Sequence, residues 1–386
     1  MNCNLQKKMK KIYLDNAATT PIAEEVITVM VESMQTNNGN PSSIHQFGRK
    51  AKSSIENARK NIAKHFNVSA SELVFTAGGT EADNLILQNA VINLGVQTIV
   101  TSKIEHHAVL RTIAYLEEMY DVKVIYLEVD EFGDLDLFGL SRVLLEEKEK
   151  VLVSLMYVNN EIGNLLDVAK VSELCQKYKA LFHSDAVQAV GHYHLDLQKI
   201  PIDFIAVSAH KFHGPKGVGF AYFKKGVGIK PMLYGGKQEK GARAGTENVH
   251  AILGMEKALA MAITSLNENR ATILKMKMYF IKELKKISSD IKFNGFSADE
   301  ERSSYAILNV RFPIKDKMLL FNLDLNGIAA SGGSACQSGS HKGSHVLKTF
   351  LKEGEEEKAS VRFSFSKYTT KEDLDYVLSF FRKRLV

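Results

Sequence analysis

The sequence predicts an α/β protein: a mostly parallel sheet, seven strands in all, covered by helices on both faces, with a smaller α+β domain after it. Three observations carry this. Between Leu73 and Ser184, short apolar runs alternate with segments whose apolar residues recur at helical spacing. Beyond about Glu247 the rhythm changes to one long helical stretch and then fewer, mixed elements. The chain has 386 residues, 45% of them hydrophobic and only 6 of them proline, which is enough for a large core and two domains.

Each element has a local reason. Ile12–Asp15 is extended, and Pro21 is placed to open a helix carrying Val26, Val29 and Met30. Asn37–Ser42 is a loop. Phe47, Ala51, Ile55, Ala58, Ile62 and Phe66 then mark one face of a long helix. Strand and helix alternate after that: Leu73–Thr76, a Gly-rich turn and helix 81–94; Thr98–Ser102 and helix 108–119; Val122–Leu127 and helix 137–148. Val151–Met156 is followed by helix 168–178, and Leu181–Ser184 by Phe204–Val207 and Val218–Phe223. The last two leave little room for a helix between them, so they are expected to pair antiparallel. Gly226–Gly245, rich in glycine and basic residues, reads as a functional loop, and helix is expected from Glu247 to Ile287. The remainder reads as strand 306–311, helix 315–326, strand 328–331, helix 344–351, strand 360–364 and helix 371–384. The expected division is a large domain over 16–262, and a small domain made of 1–15 and 263–386.

Composition narrows the function. Charged residues make up 24% and the net charge is +6, with Lys and Arg scattered among Asp and Glu, which gives solvated helix faces and no nucleic-acid patch. Cys3, Cys175 and Cys336 have no paired spacing, which argues against a disulfide framework or a zinc site. No apolar run reaches membrane-span length and Met1–Lys11 lacks a signal-peptide core, so the expected place is the cytoplasm. Met9 is a second candidate start.

Five junctions after strands carry polar residues. Lys211, in Ser208-Ala209-His210-Lys211, follows an apolar run and precedes the Gly214-Pro215 turn. A lysine at a strand end is suited to a Schiff base with an aldehyde cofactor, although a lysine merely leaving the sheet has the same local pattern. Gly78-Gly79-Thr80 before a helix forms a phosphate cradle or a structural tight turn. Asp185, in His183-Ser184-Asp185-Ala186-Val187-Gln188, is suited to pairing with a ring N–H or to capping a helix. His106 can stack on a cofactor ring, move protons, or simply cap. Asn159-Asn160-Glu161 ends the set. One phosphorylated, pyridine-containing ligand would use all five. Two further features stand apart. Cys336 lies amid Gly and Ser in 331–340, the setting of an accessible, reactive thiol, whereas Cys175 shares a helix with Val171 and Leu174 and reads as core. Arg362 is a charge within a strand, fit to hold a carboxylate or to face solvent on an edge.

Nearly the whole chain, from Tyr13-Leu14-Asp15-Asn16-Ala17-Ala18-Thr19-Thr20-Pro21 to the Arg362 strand, resembles the class V, fold-type I pyridoxal phosphate (PLP) enzymes, and within them the cysteine desulfurases of the NifS/IscS type. The matching blocks include Gly39-Asn40-Pro41-Ser42-Ser43, Thr76-Ala77-Gly78-Gly79-Thr80-Glu81, Glu105-His106, Asn159-Asn160-Glu161-Ile162-Gly163, Ser208-Ala209-His210-Lys211, Arg243-Ala244-Gly245-Thr246-Glu247-Asn248 and Ser334-Ala335-Cys336. The resemblance implies that Lys211 carries PLP and moves the Cα proton, that Asp185 pairs the pyridine nitrogen, and that Gln188 and Asn160 approach the ring hydroxyl. His106 would stack on the ring. Thr80, Ser208, His210 and the Gly79 backbone would hold the phosphate, with Thr246 reaching in from the other subunit of a homodimer. Arg362, with Asn40 and Asn160, would hold the substrate carboxylate. Cys336 would take sulfur from L-cysteine as a persulfide, leaving alanine, and pass it to an acceptor protein in iron–sulfur assembly or tRNA thiolation. No metal is implied. A selenocysteine lyase or another class V aminotransferase is the competing reading. The resemblance departs at His341-Lys342-Gly343-Ser344, where the housekeeping subtype has a Leu-Glu-Pro-like stretch, and at Val386, before the longer tail with which that subtype docks its scaffold.

Overall fold

The computed structural model describes residues 10–332 and 343–385. They fall into two units. One gathers residues up to Thr19, the five-residue segment Asn160–Asn164 and everything from Asn267 onward; the other takes Thr20–Asn159 and Leu165–Leu266.

Strand β1 (Ile12–Tyr13) belongs to the first unit. The larger unit then runs α1 (Glu24–Thr36), α2 (Gln46–His65), β2 (Leu73–Thr76), α3 (Gly79–Gln88), β3 (Thr98–Ser102), α4 (His107–Tyr120), β4 (Lys123–Leu127), α5 (Leu137–Glu146), β5 (Val151–Ser154), α6 (Val168–Tyr178), β6 (Leu181–Asp185), β7 (Phe204–Ser208), β8 (Gly219–Phe223) and α7 (Val249–Thr264). Its sheet has seven strands in the order β2-β8-β7-β6-β5-β3-β4. β3, β4, β5, β6 and β7 are mutually parallel, and β8 is antiparallel to both β7 and β2. Two reversals restore direction, so β2 points the same way as the parallel strands. The C-terminal ends of β2, β3, β5, β6 and β7 therefore lie along one edge, where open α/β sheets bind ligands. Val74, Phe204, Ala206, Ala221 and Phe223 pack under Ala82, Leu85 and Ile86 of α3, which seats that helix on the sheet.

The smaller unit holds α8 (Leu266–Ile287), β9 (Lys292–Phe293), β10 (Ile307–Arg311), α9 (Leu319–Leu325), β11 (Ile328–Ala329), α10 (His345–Phe350), β12 (Ser360–Ser364) and α11 (Lys371–Leu385). β12, β10 and β9 form an antiparallel sheet, and β1 pairs in parallel with β11. Aromatic rings fill its core: Phe312 stacks on Phe381 at 4.2 Å, and Phe280 meets Phe363 edge-on at 5.2 Å.

Some expected elements differ. The helix read over 247–287 is two helices that break at Ser265. One residue outside helical geometry barely disturbs a 3.6-residue spacing, so the break leaves no trace in the apolar pattern. Helix 315–326 starts only at Leu319, because Asp316 closes a local turn onto the Met318 N–H. The helix read over 81–94 ends as α at Gln88 and continues as one wider turn over Asn89–Asn93. Phe47, expected on the buried face of α2, is 61% exposed; in that first turn it is Gly48 that is buried.

Candidate active site

The cradle at the end of β2 depends on two glycines. Gly78 has φ +152°, and a Cβ on Gly79 would stand 2.6 Å from the Val187 side chain, so neither position accepts another residue without movement. Gly78 brings no side-chain cap to α3, so backbone N–H groups of its first turn point outward beside the Ser208 hydroxyl, which would lie 3.4 Å from a Cβ at Gly78. Thr80 is exposed in that turn. Together these are the donors of an anion site at a helix N-terminus.

Lys211 ends a 3₁₀ turn that follows β7. The turn is tied down by Thr20: its N–H and its hydroxyl both donate to the His210 carbonyl at 2.9 Å, and its Oγ1 accepts from the His213 N–H at 2.7 Å. This explains part of the Asn-Ala-Ala-Thr-Thr-Pro motif. The other part acts in the smaller unit, where the Asn16 side chain donates to the Ser364 carbonyl at 2.8 Å. Burial, with Lys211 and Lys216 nearby, lowers the His210 pKa to about 4, so its ring is neutral at pH 7. Burial raises Asp185 to about 6, against the opposing pull of the Val187 N–H and the Lys211 ammonium. Asp185 is therefore ionised at neutral pH, within electrostatic reach of the lysine. Gln188 is buried one turn further on.

His106 is the N-cap of α4, its Nδ1 accepting from the Ala108 N–H at 3.1 Å, which leaves the proton on Nε2. The capping reading of this histidine is thus correct, and it also fixes the ring's tautomer. Gly79, Thr80, His106, Asp185, Gln188, Ser208, His210 and Lys211 all lie at the one sheet edge of the larger unit. Asn40 and Thr246 are exposed on loops. The Gly-rich loop is anchored at two points: Glu239 forms a buried bidentate pair with Arg59 and accepts from the Phe75 N–H, and Arg243 pairs with Glu81 of α3 at 2.8 Å.

Arg362 and Asn160 belong to the smaller unit. Arg362 does not face solvent: it is 1% exposed, its Nη1 donates to the Asn160 carbonyl and its Nη2 to Asp15, each at 2.8 Å. Its Nε has no hydrogen-bond partner among the described residues, which leaves one arm of the fork for an anion. Its backbone exchanges hydrogen bonds with Ser331. Cys336 lies outside the described residues. Cys175 is core, 2% exposed, with its thiol pKa driven upward by burial.

Comparison with known proteins fits this geometry. Residues 12–377 match the model of the aminotransferase class-V family. The chain is 41% identical over 374 residues to cysteine desulfurase IscS of Dictyoglomus turgidum, covering 96% of this chain and 93% of that one. It is 40% identical over 383 residues to cysteine desulfurase IscS of Methanosarcina thermophila, covering 98% of this chain and 93% of that one. The solved structure of a NifS-like protein superposes with a TM-score of 0.88 at 35% identity, covering 97% of this chain and 99% of that one. The chain belongs to the class-V aminotransferase family, in its cysteine desulfurase branch. It has the fold-type I architecture of that family, whose members work with PLP.

The residues present suit PLP. A capless helix start with two required glycines matches a phosphate, an ionised buried carboxylate matches a protonated ring nitrogen, and a lysine stands at the next strand end. Three further members of this buried region are given no role by the motifs, although His183 stands in the Asp185 motif. Asp83, His183 and Ser154 sit behind Asp185, and all are almost fully buried. Asp83 does leave a signal in the sequence: four residues after Gly79 and three before Ile86, it occupies the apolar face of α3.

Proposed function

We propose that the protein is a PLP-dependent cysteine desulfurase that converts L-cysteine to L-alanine and leaves the sulfur as a persulfide on Cys336. The observation that carries this is Lys211 at the β7 end, within electrostatic reach of the ionised Asp185 and on the same sheet edge as the glycine-built anion cradle. Bound PLP supplies an electron sink conjugated to the substrate Cα. Lys211 holds the cofactor and then, as a free amine, takes the Cα proton. Asp185 would keep the ring nitrogen protonated, and Gln188 and Asn160 would hold the ring hydroxyl. Gly79, Thr80, Ser208 and His210 bind the phosphate, with Thr246 contributed across a homodimer. His106, its tautomer fixed by its cap, would stack on the ring. Arg362 holds the substrate carboxylate, with Asn160 and Asn40 beside it.

Cys336 acts as a thiolate on the substrate sulfur: the S–S bond forms, the Cβ–S bond breaks, and the electron pair stays with the carbon skeleton, which is protonated to alanine. The persulfide then passes to an acceptor protein of iron–sulfur assembly or of tRNA thiolation, and the enzyme works in the cytoplasm. Among the described residues no single helix is long and apolar enough to cross a membrane.

The test is turnover of L-cysteine with alanine and sulfide both measured, in wild type and Cys336→Ala. Wild type yields alanine and, after alkylation, one added sulfur on Cys336 and none on Cys175. Cys336→Ala keeps bound PLP and still exchanges the Cα proton with solvent, and releases no persulfide. Cysteine turnover by Cys336→Ala at the wild-type rate would sink the assignment and favour a lyase or aminotransferase.

A further inference from the structure

Behind Asp185 lies a chain of almost fully buried polar groups. Asp83, on α3, is 1% exposed, and His183, on β6, is 0% exposed. Asp83 Oδ1 stands 3.4 Å from His183 Nε2, and neither atom has a hydrogen-bond partner elsewhere among the described residues. The other ring nitrogen, His183 Nδ1, lies 2.9 Å from the Ser154 hydroxyl on β5. The groups facing Asp83 are His183 and Asp185 from β6 and Glu105 from the turn after β3; Lys211 faces Asp185.

A buried carboxylate with a neutral imidazole would place a second negative charge beside Asp185. An imidazolium with a protonated acid would place a positive one there. Both are costly in apolar surroundings. One proton between the two groups makes the pair uncharged, and it is also what the contact needs to become a hydrogen bond. Burial acts in the same sense on both partners, raising the Asp83 pKa well above the ordinary carboxylate value and lowering His183 to about 3. The proton then sits on Asp83 and is donated to His183 Nε2, while His183 Nδ1–H donates to Ser154.

The location gives the pair a task. Asp83 is one helical turn after Gly79, whose N–H belongs to the anion cradle, and His183 is two residues before Asp185 on the same strand. We propose that Asp83 and His183, sharing one proton and backed by Ser154, are positioning residues that lock the phosphate-binding helix start to the strand end carrying Asp185, while leaving Asp185 as the one ionised carboxylate there. This rests on the PLP reading above.

The test compares wild type with Asp83→Asn, Asp83→Ala, His183→Asn and the Asp83→Ala/His183→Asn double variant. It uses PLP affinity, the pH midpoint of the bound cofactor's absorbance, and nitrogen-15 histidine spectra of the cofactor-free protein. Asp83→Asn keeps a donor toward Nε2 and stays within about twofold of wild-type affinity. Asp83→Ala and His183→Asn each weaken PLP by about tenfold and move the midpoint by about half a pH unit or more, and the double variant is no worse than either, as for groups acting as one unit. The His183 ring in wild type reads as neutral with Nδ1 protonated from pH 5 to 9.

Wild-type affinity and midpoint in folded Asp83→Ala would overturn the proposal. So would additive losses in the double variant, or an imidazolium signal for His183 at pH 7. If the alanine variant does not fold, the wild-type histidine spectrum and Asp83→Asn decide. A wild type that binds no PLP would refute the functional reading instead, and the histidine spectrum would still decide the pair.

Discussion

In the smaller unit Arg362 is 1% exposed and paired, with Asp15 on one arm and the Asn160 carbonyl on another. In the larger unit Asp83, Glu105 and His183 are as deeply buried, yet burial drives each toward its neutral form. The difference follows from proton affinity. A guanidinium cannot shed its proton in water's pH range, so it must be paired to be buried. A carboxyl or an imidazole can change protonation state, and does so when that costs less than an unpaired charge. One region thus stores a permanent charge suited to gripping an anion. Around Asp185 the other neutralises the buried acids and the imidazole, and leaves Asp185 as the ionised carboxylate, where a ring nitrogen would need it.

The largest expected effect falls on that second region. On the proposed reading, Lys211→Ala should lose turnover by more than about 10³-fold, since it would remove both the attachment point and the base. It should still bind PLP through the cradle, and borohydride should no longer fix the cofactor to the protein. Reduction that maps to a different lysine in wild type would refute the assignment.

Arg362→Leu tests the paired region. It leaves Asp15 without its cation in a largely buried setting, so stability should fall by roughly 3–5 kcal/mol in urea unfolding. Arg362→Lys keeps the charge without the fork; on the proposed reading KM for cysteine should rise with kcat changed less, because the guanidinium that binds Asp15 and Asn160 while turning Nε to a carboxylate is lost. An unchanged KM would assign Arg362 a purely structural part.

The proton-neutralised region should show its character in pH. The Glu105 pKa is raised to about 8 from 4.5, first by burial, against bonds from the Met156 N–H and Ser102, with Asp185 adding to the rise. A raised acid is most stabilising below its unfolded pKa, and that contribution is lost as pH rises through the folded one. Between pH 4.5 and 8 this group therefore costs wild type up to about 1.4 kcal/mol per pH unit. Glu105→Gln should flatten that slope and be the more stable protein at pH 8. His183 acts oppositely: its depressed pKa makes stability fall as pH drops from 6.5 toward 3. Parallel slopes for wild type and Glu105→Gln, measured by urea unfolding, would contradict a neutral Glu105.

The smallest effect belongs to a cap. Ser344 Oγ accepts from the Leu347 N–H at 3.0 Å and donates to Glu161 at 2.5 Å. Ser344→Ala should cost about 1 kcal/mol in stability. A drop of that size without loss of PLP binding would set this region apart from the cofactor edge.

What the sequence determined by itself was local. The alternation of apolar runs and helical faces contained the sheet and its helices, and Gly78-Gly79, Asp185, His106 and Lys211 announced themselves by standing where strands end. Strand length, helical spacing and turn glycines are properties of neighbours in the chain, so they are legible there. Sheet order was not. That β2 lies beside β8, and points with the parallel strands after two reversals, is a matter of long-range pairing. Nor could the chain announce that Asn160–Asn164 sorts with residues beyond 267, or that Arg362 turns inward to Asp15, 347 positions away. The state of Asp83 and His183 was the least legible of all. A carboxyl and an imidazole 100 residues apart carry no sign in sequence of which holds the proton; only burial side by side, where a bare charge is costly and a shared proton removes it, decides that.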